Sequence, residues 1–117
     1  MEDKLFQEKF DRAWMYKKER KYTEAIELYV DLYRQLIKDA FEYLGGANGT
    51  FTEDKSKVGE YLKGDNLACT ILNNIGVIFA EVGDKKSAKK YFKESIKYKP
   101  DGIEYENPKI GLRELKK

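Results

Sequence analysis

Residues 66–101, NLACTILNNIGVIFAEVGDKKSAKKYFKESIKYKPD, leave the chain little choice of fold. Ala68, Ile71, Leu72, Ile75, Phe79 and Val82 recur every third or fourth position, which places them on one face of a helix. Asp65 or Asn66 can cap its start, because a short side-chain oxygen accepts from the free amides of a first turn. Gly83 ends it, since glycine takes the left-handed conformation that closes a helix. Asp84 then caps a second helix whose inner stripe is Ala88, Tyr91, Phe92, Ser95 and Ile96. Pro100 stops that helix, having no amide hydrogen to continue the ladder. Two helices joined by so short a turn must run antiparallel.

This hairpin resembles the tetratricopeptide repeat (TPR), a helix–turn–helix unit of about 34 residues. Leu72 stands where the family often has tryptophan, Ile75 and Gly76 match its leucine–glycine pair, and Phe79 matches its tyrosine. Gly83 falls in the inter-helix turn, Ala88 is the small residue of the second helix, and Phe92 its aromatic. Pro100 matches the closing proline, while Ser95 replaces the last alanine. Small residues at 76 and 88 allow close helix approach, and Phe79 and Phe92 fill the space beside them. The resemblance covers residues 69–102. A weaker one covers 6–39, with Tyr16, Tyr22, Ala25, Tyr29 and Leu32 at key positions. There Ala13 replaces the first-helix glycine, Lys9 and Arg12 replace large apolar residues, and Ile37 replaces the proline.

The rest of the chain follows the same logic. Leu5, Phe6, Phe10, Ala13, Trp14 and Tyr16 mark the apolar side of a first helix from Leu5 to Lys21. Thr23 is the expected cap of the next, with Glu24 adding negative charge in the first turn. Ala25, Leu28, Tyr29, Leu32, Leu36 and Ala40 keep helical spacing, and the pattern continues through Ile37, Phe41 and Leu44 to Gly45-Gly46. One helix of about 20 residues is predicted. Residues 45–65 carry turn signals at Gly45-Gly46 and Asn48-Gly49, with Phe51, Val58, Tyr61 and Leu62 allowing a short helix over 53–62. From Ala25 to Ala88 is 63 positions (88 minus 25), nearly two repeat lengths. Residues 45–65 are therefore an insertion between two repeats or a degenerate third, and the insertion is preferred. Asn107-Pro108 starts a final helix, with asparagine at the cap and proline first. Its apolar residues are Ile110, Leu112 and Leu115, and it is read as covering the last open core face. The expected fold is all-α, a single TPR-like domain of about two antiparallel hairpins. It comprises 1–44 (first hairpin with an extended second helix), 45–65 (insertion), 66–100 (second hairpin) and 101–117 (capping helix).

Composition narrows the function. Histidine is absent, which removes the commonest general base, the usual zinc imidazole and every serine–histidine or cysteine–histidine pair. Cys69 is alone, so no internal disulfide forms, and it reads as a small buried hydrophobe. No paired acids share an apolar face. The chain is therefore read as no enzyme, without catalytic, cofactor-binding or metal-ligating residues. The glycines of 45–65 lack the Gly-Lys-Ser/Thr of a phosphate cradle. Net charge is +2 without an extended polybasic run, which argues against nucleic acid as the main partner. No apolar run is long enough for a bilayer, and MEDKLFQEKF lacks the layout of a secretory signal. A cytoplasmic protein without a membrane partner is expected, and Asn48-Gly49-Thr50 is then a bare turn rather than a glycosylation site.

The resemblance implies a concave groove lined by the first helices of each hairpin, binding a protein or peptide partner. Its lining would be Gln7, Phe10, Asp11, Trp14, Lys17 and Lys18 from the first hairpin. The second would add Thr70, Asn73, Asn74, Val77 and Glu81. Asn73 and Asn74 could meet a peptide backbone, since an amide side chain both donates and accepts. Trp14, the one tryptophan, is either a binding hot spot or a core aromatic. Some family members hold a C-terminal carboxylate with a lysine/asparagine/arginine clamp. Asn74 fits that pattern, but Phe10 and Trp14 occupy its first lysine and asparagine positions, so no such clamp is expected. Lys85, Lys86, Lys89, Lys90, Lys93, Lys97 and Lys99 read as a solvated outer face, with an acidic protein or nucleic acid as the alternative ligand. Two repeats are few for a continuous core. Either the extended helix, insertion and final helix complete it, or the chain forms a homodimer.

Overall fold

The computed structural model describes residues 3–45, 60–63, 67–100 and 105–116. Five helices lie among them: α1 (Asp3–Lys18), α2 (Tyr22–Gly45), α3 (Leu67–Glu81), α4 (Lys85–Lys97) and α5 (Asn107–Leu115). No described residue is in a strand. The fold is all-α and TPR-like. α1 pairs with α2 and α3 with α4, α2 packs on α3, and α5 packs on both α4 and α3. The core joins the first three helices: Ala13 from α1, Ala25, Tyr29, Leu32 and Leu36 from α2, and Ala68, Ile71, Ile75 and Ile78 from α3.

Both hairpins turn through one hydrogen-bond pattern. In the second, Asp84 N donates to Phe79 O at 2.9 Å and Gly83 N to Ala80 O at 3.2 Å. In the first, Lys21 N donates to Tyr16 O at 2.8 Å and Arg20 N to Lys17 O at 3.0 Å. These are the paired bonds of a Schellman motif, which needs a left-handed residue just beyond the helix. Gly83 fills that place with φ 86° and Arg20 with φ 63°. α1 thus ends at Lys18, short of the expected Lys21. Thr23 is not the cap of α2 either, because the helix already begins at Tyr22 and the Lys21 carbonyl accepts from Ala25 N at 3.1 Å. Asp84 caps α4 through Ser87, accepting from its amide at 3.1 Å and its hydroxyl at 2.8 Å.

α2 has neither proline nor glycine before Gly45 and runs for 24 residues. Its buried stripe continues through Leu36 and Ala40. A helical turn at 60–62 covers this extension: Leu62 is buried, and the Tyr61 ring lies 5.1 Å from that of Tyr43. The rest of the expected insertion and of its short helix lies outside the described residues.

Phe92 is the joint between α3, α4 and α5. A β-carbon on Gly76 would stand 2.8 Å from its ring, and one on Gly111 would stand 2.5 Å from its Cζ. Both backbones therefore approach closer than any larger residue permits. Ser95 is also fully buried, and its hydroxyl donates to the Cys69 carbonyl at 2.6 Å. That bond satisfies the polar atom which replaces an alanine and ties α4 to α3. α5 departs from its expected reading in two details. Glu106, not Asn107, precedes the first helical residue, because Pro108 lies inside the first turn. Ile110 is 44% exposed, while Pro108 is buried and Gly111 meets Phe92.

Candidate functional site: the face shared by α1 and α3

The 63-residue offset pairs each position of α1 with one of α3. On α3, Ala68, Ile71, Ile75 and Ile78 are buried. Their counterparts on α1 are Leu5, Glu8, Arg12 and Met15, all exposed. Among the described helices only α2 packs closely on α1, whereas α3 has α2, α4 and α5 around it. A charged centre on the outer side of α1 suits a helix that meets water there.

The groove side of α1 carries two adjoining depressions. Phe10, Asp11, Trp14 and Met15 line the first. Trp14 is 47% exposed, so it is not a core aromatic. Lys18 Nζ sits 4.4 Å above its ring, a cation–π contact that steadies both side chains. Phe10 packs edge-on against Tyr29, with ring centres 5.7 Å apart. Asp11 is exposed and accepts from Gln7 Nε2 at 2.8 Å.

Lys17, Lys18, Arg20, Tyr22 and Glu81 line the second depression. It bridges the two hairpins, since Lys17 Nζ meets Glu81 Oε1 at 3.3 Å. Partial desolvation and then the hydrogen bond to Glu81 push the Tyr22 phenol above its ordinary value. Further along α3, Asn74 and Val77 are half-buried. Asn74 Nδ2 makes a long, weak bond to the Tyr29 hydroxyl at 3.4 Å. Burial is the main reason the Tyr29 phenol is pushed up to about 12.

The structure therefore brings Phe10, Asp11, Trp14, Lys17, Lys18 and Glu81 onto one continuous surface, with Asn74 and Val77 half-buried on α3. It withdraws Asn73. That residue is only 5% exposed, because α3 is covered on several sides, and among the described residues its Oδ1 has no hydrogen-bond partner. Thr70 is half-buried, near Tyr105, whose phenol is raised chiefly by burial. Sequence reasoning missed Met15 and Tyr22 as lining residues.

The lysines of α4 point outward: Lys85, Lys86, Lys89, Lys90, Lys93 and Lys97 are exposed. Its aromatics do not join them. Phe92 is buried, and Tyr91 is half-buried with its ring stacked 5.5 Å from that of Phe79. A stacking platform for single-stranded nucleic acid needs exposed rings, which α4 lacks. Among the described residues no helix is long and apolar enough to cross a membrane.

The sequence profile of the tetratricopeptide repeat matches residues 70–101. Comparison with curated proteins and with solved structures gives no match. The matched stretch contains nearly all of α3, the Gly83 turn, α4 and Pro100. It is the hairpin whose close approach runs through Gly76 and Phe92, and it is this stretch, residues 70–101, that is similar to a tetratricopeptide repeat.

Proposed function

We propose that this protein is a peptide-binding adaptor, holding an extended segment of a protein partner along the face shared by α1 and α3. The repeat itself supports a protein-interaction module. Trp14 carries the finer reading: it is nearly half exposed, flanked by Phe10 and Met15, and beside cations. Large aromatics set in partly desolvated surroundings supply much of the energy at protein interfaces. Asp11, Lys17, Lys18, Asn74, Val77 and Glu81 complete the surface as polar and apolar contacts around that anchor. Asn73 takes no direct part, being buried.

Trp14 is the sole tryptophan, so its fluorescence reports on this surface alone. Peptides panned from a displayed random library against the full chain should shift that emission as they saturate. Trp14→Ala should weaken the same peptides by about 30-fold in a label-based assay, the loss of one hot-spot residue. Its circular dichroism should stay unchanged. Peptides that bind without perturbing Trp14, and equally to the variant, would place the site elsewhere.

A further inference from the structure

The charge beside Trp14 specifies what kind of peptide this face accepts, on the premise that it is the binding face. The depression next to Trp14 holds three cations, Lys17, Lys18 and Arg20, against one carboxylate, Glu81. Glu81 is already occupied, by Lys17 at 3.3 Å. Among the described residues neither Lys18 nor Arg20 forms an ion pair with a carboxylate; Lys18 lies over the indole instead. Glu19 does not compensate them, since it pairs with Lys21 at 3.4 Å. Arg20 holds a left-handed φ of 63°, where Gly83 stands in the second hairpin. An arginine therefore stands at a position where glycine would be less strained.

We propose that the ligand is an acidic peptide, with a bulky apolar residue on Phe10, Trp14 and Met15 and a carboxylate side chain held between Lys18 and Arg20. The spacing follows from geometry. Trp14 and Lys18 are one helical turn apart, about 6 Å along the axis, and Arg20 lies beyond. An extended peptide advances about 3.3 Å per residue, so the acid sits two or three residues from the apolar anchor. Guanidinium and ammonium groups suit this role differently. Arg20 can take a carboxylate through two parallel N–H donors, while Lys18 acts as a point charge that keeps its place over the indole.

Panning a displayed random library against the full chain tests the proposal, beside a Lys18→Glu/Arg20→Glu variant. Both side chains are exposed, so the variant should fold as wild type does. Wild type should enrich Asp or Glu two or three positions from an aromatic or large aliphatic residue. A synthetic winner should lose about 10-fold in affinity when its acids become amides, and about as much on raising salt from about 50 to about 500 mM. The reversed variant should instead enrich Lys or Arg at the same spacing. Apolar winners without acids, bound equally by both proteins, would overturn the acidic ligand and leave the groove intact. No enrichment at all would remove the groove reading too. If a 20-nucleotide oligo-uridine bound through Lys18 and Arg20 while no peptide was enriched, the partner would be nucleic acid and the proposal would fail.

Discussion

The two hairpins share one backbone plan and fill it with different residues. Offset by 63 positions, Gly76, Gly83 and Asp84 of the second correspond to Ala13, Arg20 and Lys21 of the first. The second hairpin uses residues suited to each local demand. Glycine lies where the Phe92 ring leaves no room for a side chain, and glycine again where φ is 86°. An aspartate then caps through Ser87. The first hairpin makes the same turn with an arginine at φ 63° and a lysine at the cap position. It exposes Leu5, Trp14 and Met15, as the second hairpin exposes Leu67 and Val82. Departures from the favoured residues gather beside the surface we assign to binding, while the hairpin under α5 keeps to the rules. Local strain commonly accompanies function in this way, because the surrounding fold can hold a residue where its own preference would not.

The largest effect that would sharpen this contrast is at Gly76. Elsewhere in a helix, glycine to alanine adds up to ~1 kcal/mol of stability. Here the new β-carbon meets Phe92 at 2.8 Å, so Gly76→Ala should instead destabilise by about 1–3 kcal/mol in urea unfolding. A stabilised variant would show that the two hairpins differ by accident at this position and not by packing.

The turns come next, with opposite signs. Gly83→Ala should lose roughly 1 kcal/mol, since a β-carbon is disfavoured at positive φ even with open space around it. Arg20→Gly should gain up to ~1 kcal/mol, reduced by the greater freedom of glycine in the unfolded chain, and should weaken acidic peptides. Loss of stability in both variants would break the idea that Arg20 is kept for its charge.

The smallest effect is at the cap. The Ser87 amide and then its hydroxyl hold the Asp84 carboxyl below its ordinary range. A depressed folded value means that the stabilisation is present above the unfolded value, near pH 4, and is lost as the pH falls through the folded one. Wild type should unfold at slightly higher temperature than Asp84→Ala at about pH 6, and the two should converge near pH 2. A gap that persists in acid would assign the benefit to something other than the charged cap.

Most of the fold was legible because it rests on rules that act within a turn or two. The 3.6-residue spacing of Ile71, Ile75 and Phe79, the Gly83 stop, the Asp84 cap and the small residues at 76 and 88 suffice for the second hairpin. The absence of proline and glycine after Thr23 accounts for the length of α2. Two features were misread, and a third was left open, for a common reason. Asn73 and Asn74 are neighbours in sequence, yet one is buried and the other half-buried. Ile110 is exposed while its neighbour Gly111 meets Phe92. Trp14 is open although an apolar stripe could equally have covered it.

The sequence alone determined helix, turn and partner within the second hairpin, and the pairing of helices in the first, because spacing, caps and glycine act on the few residues around them. Only the tertiary structure decided which flank of each helix is covered. Successive side chains on a helix point about 100° apart, so burial changes from one residue to the next with the placement of a distant helix. α2 and α5, remote in sequence, close the flanks of α3, while the groove side of α1 keeps Trp14, Lys18 and Arg20 in water.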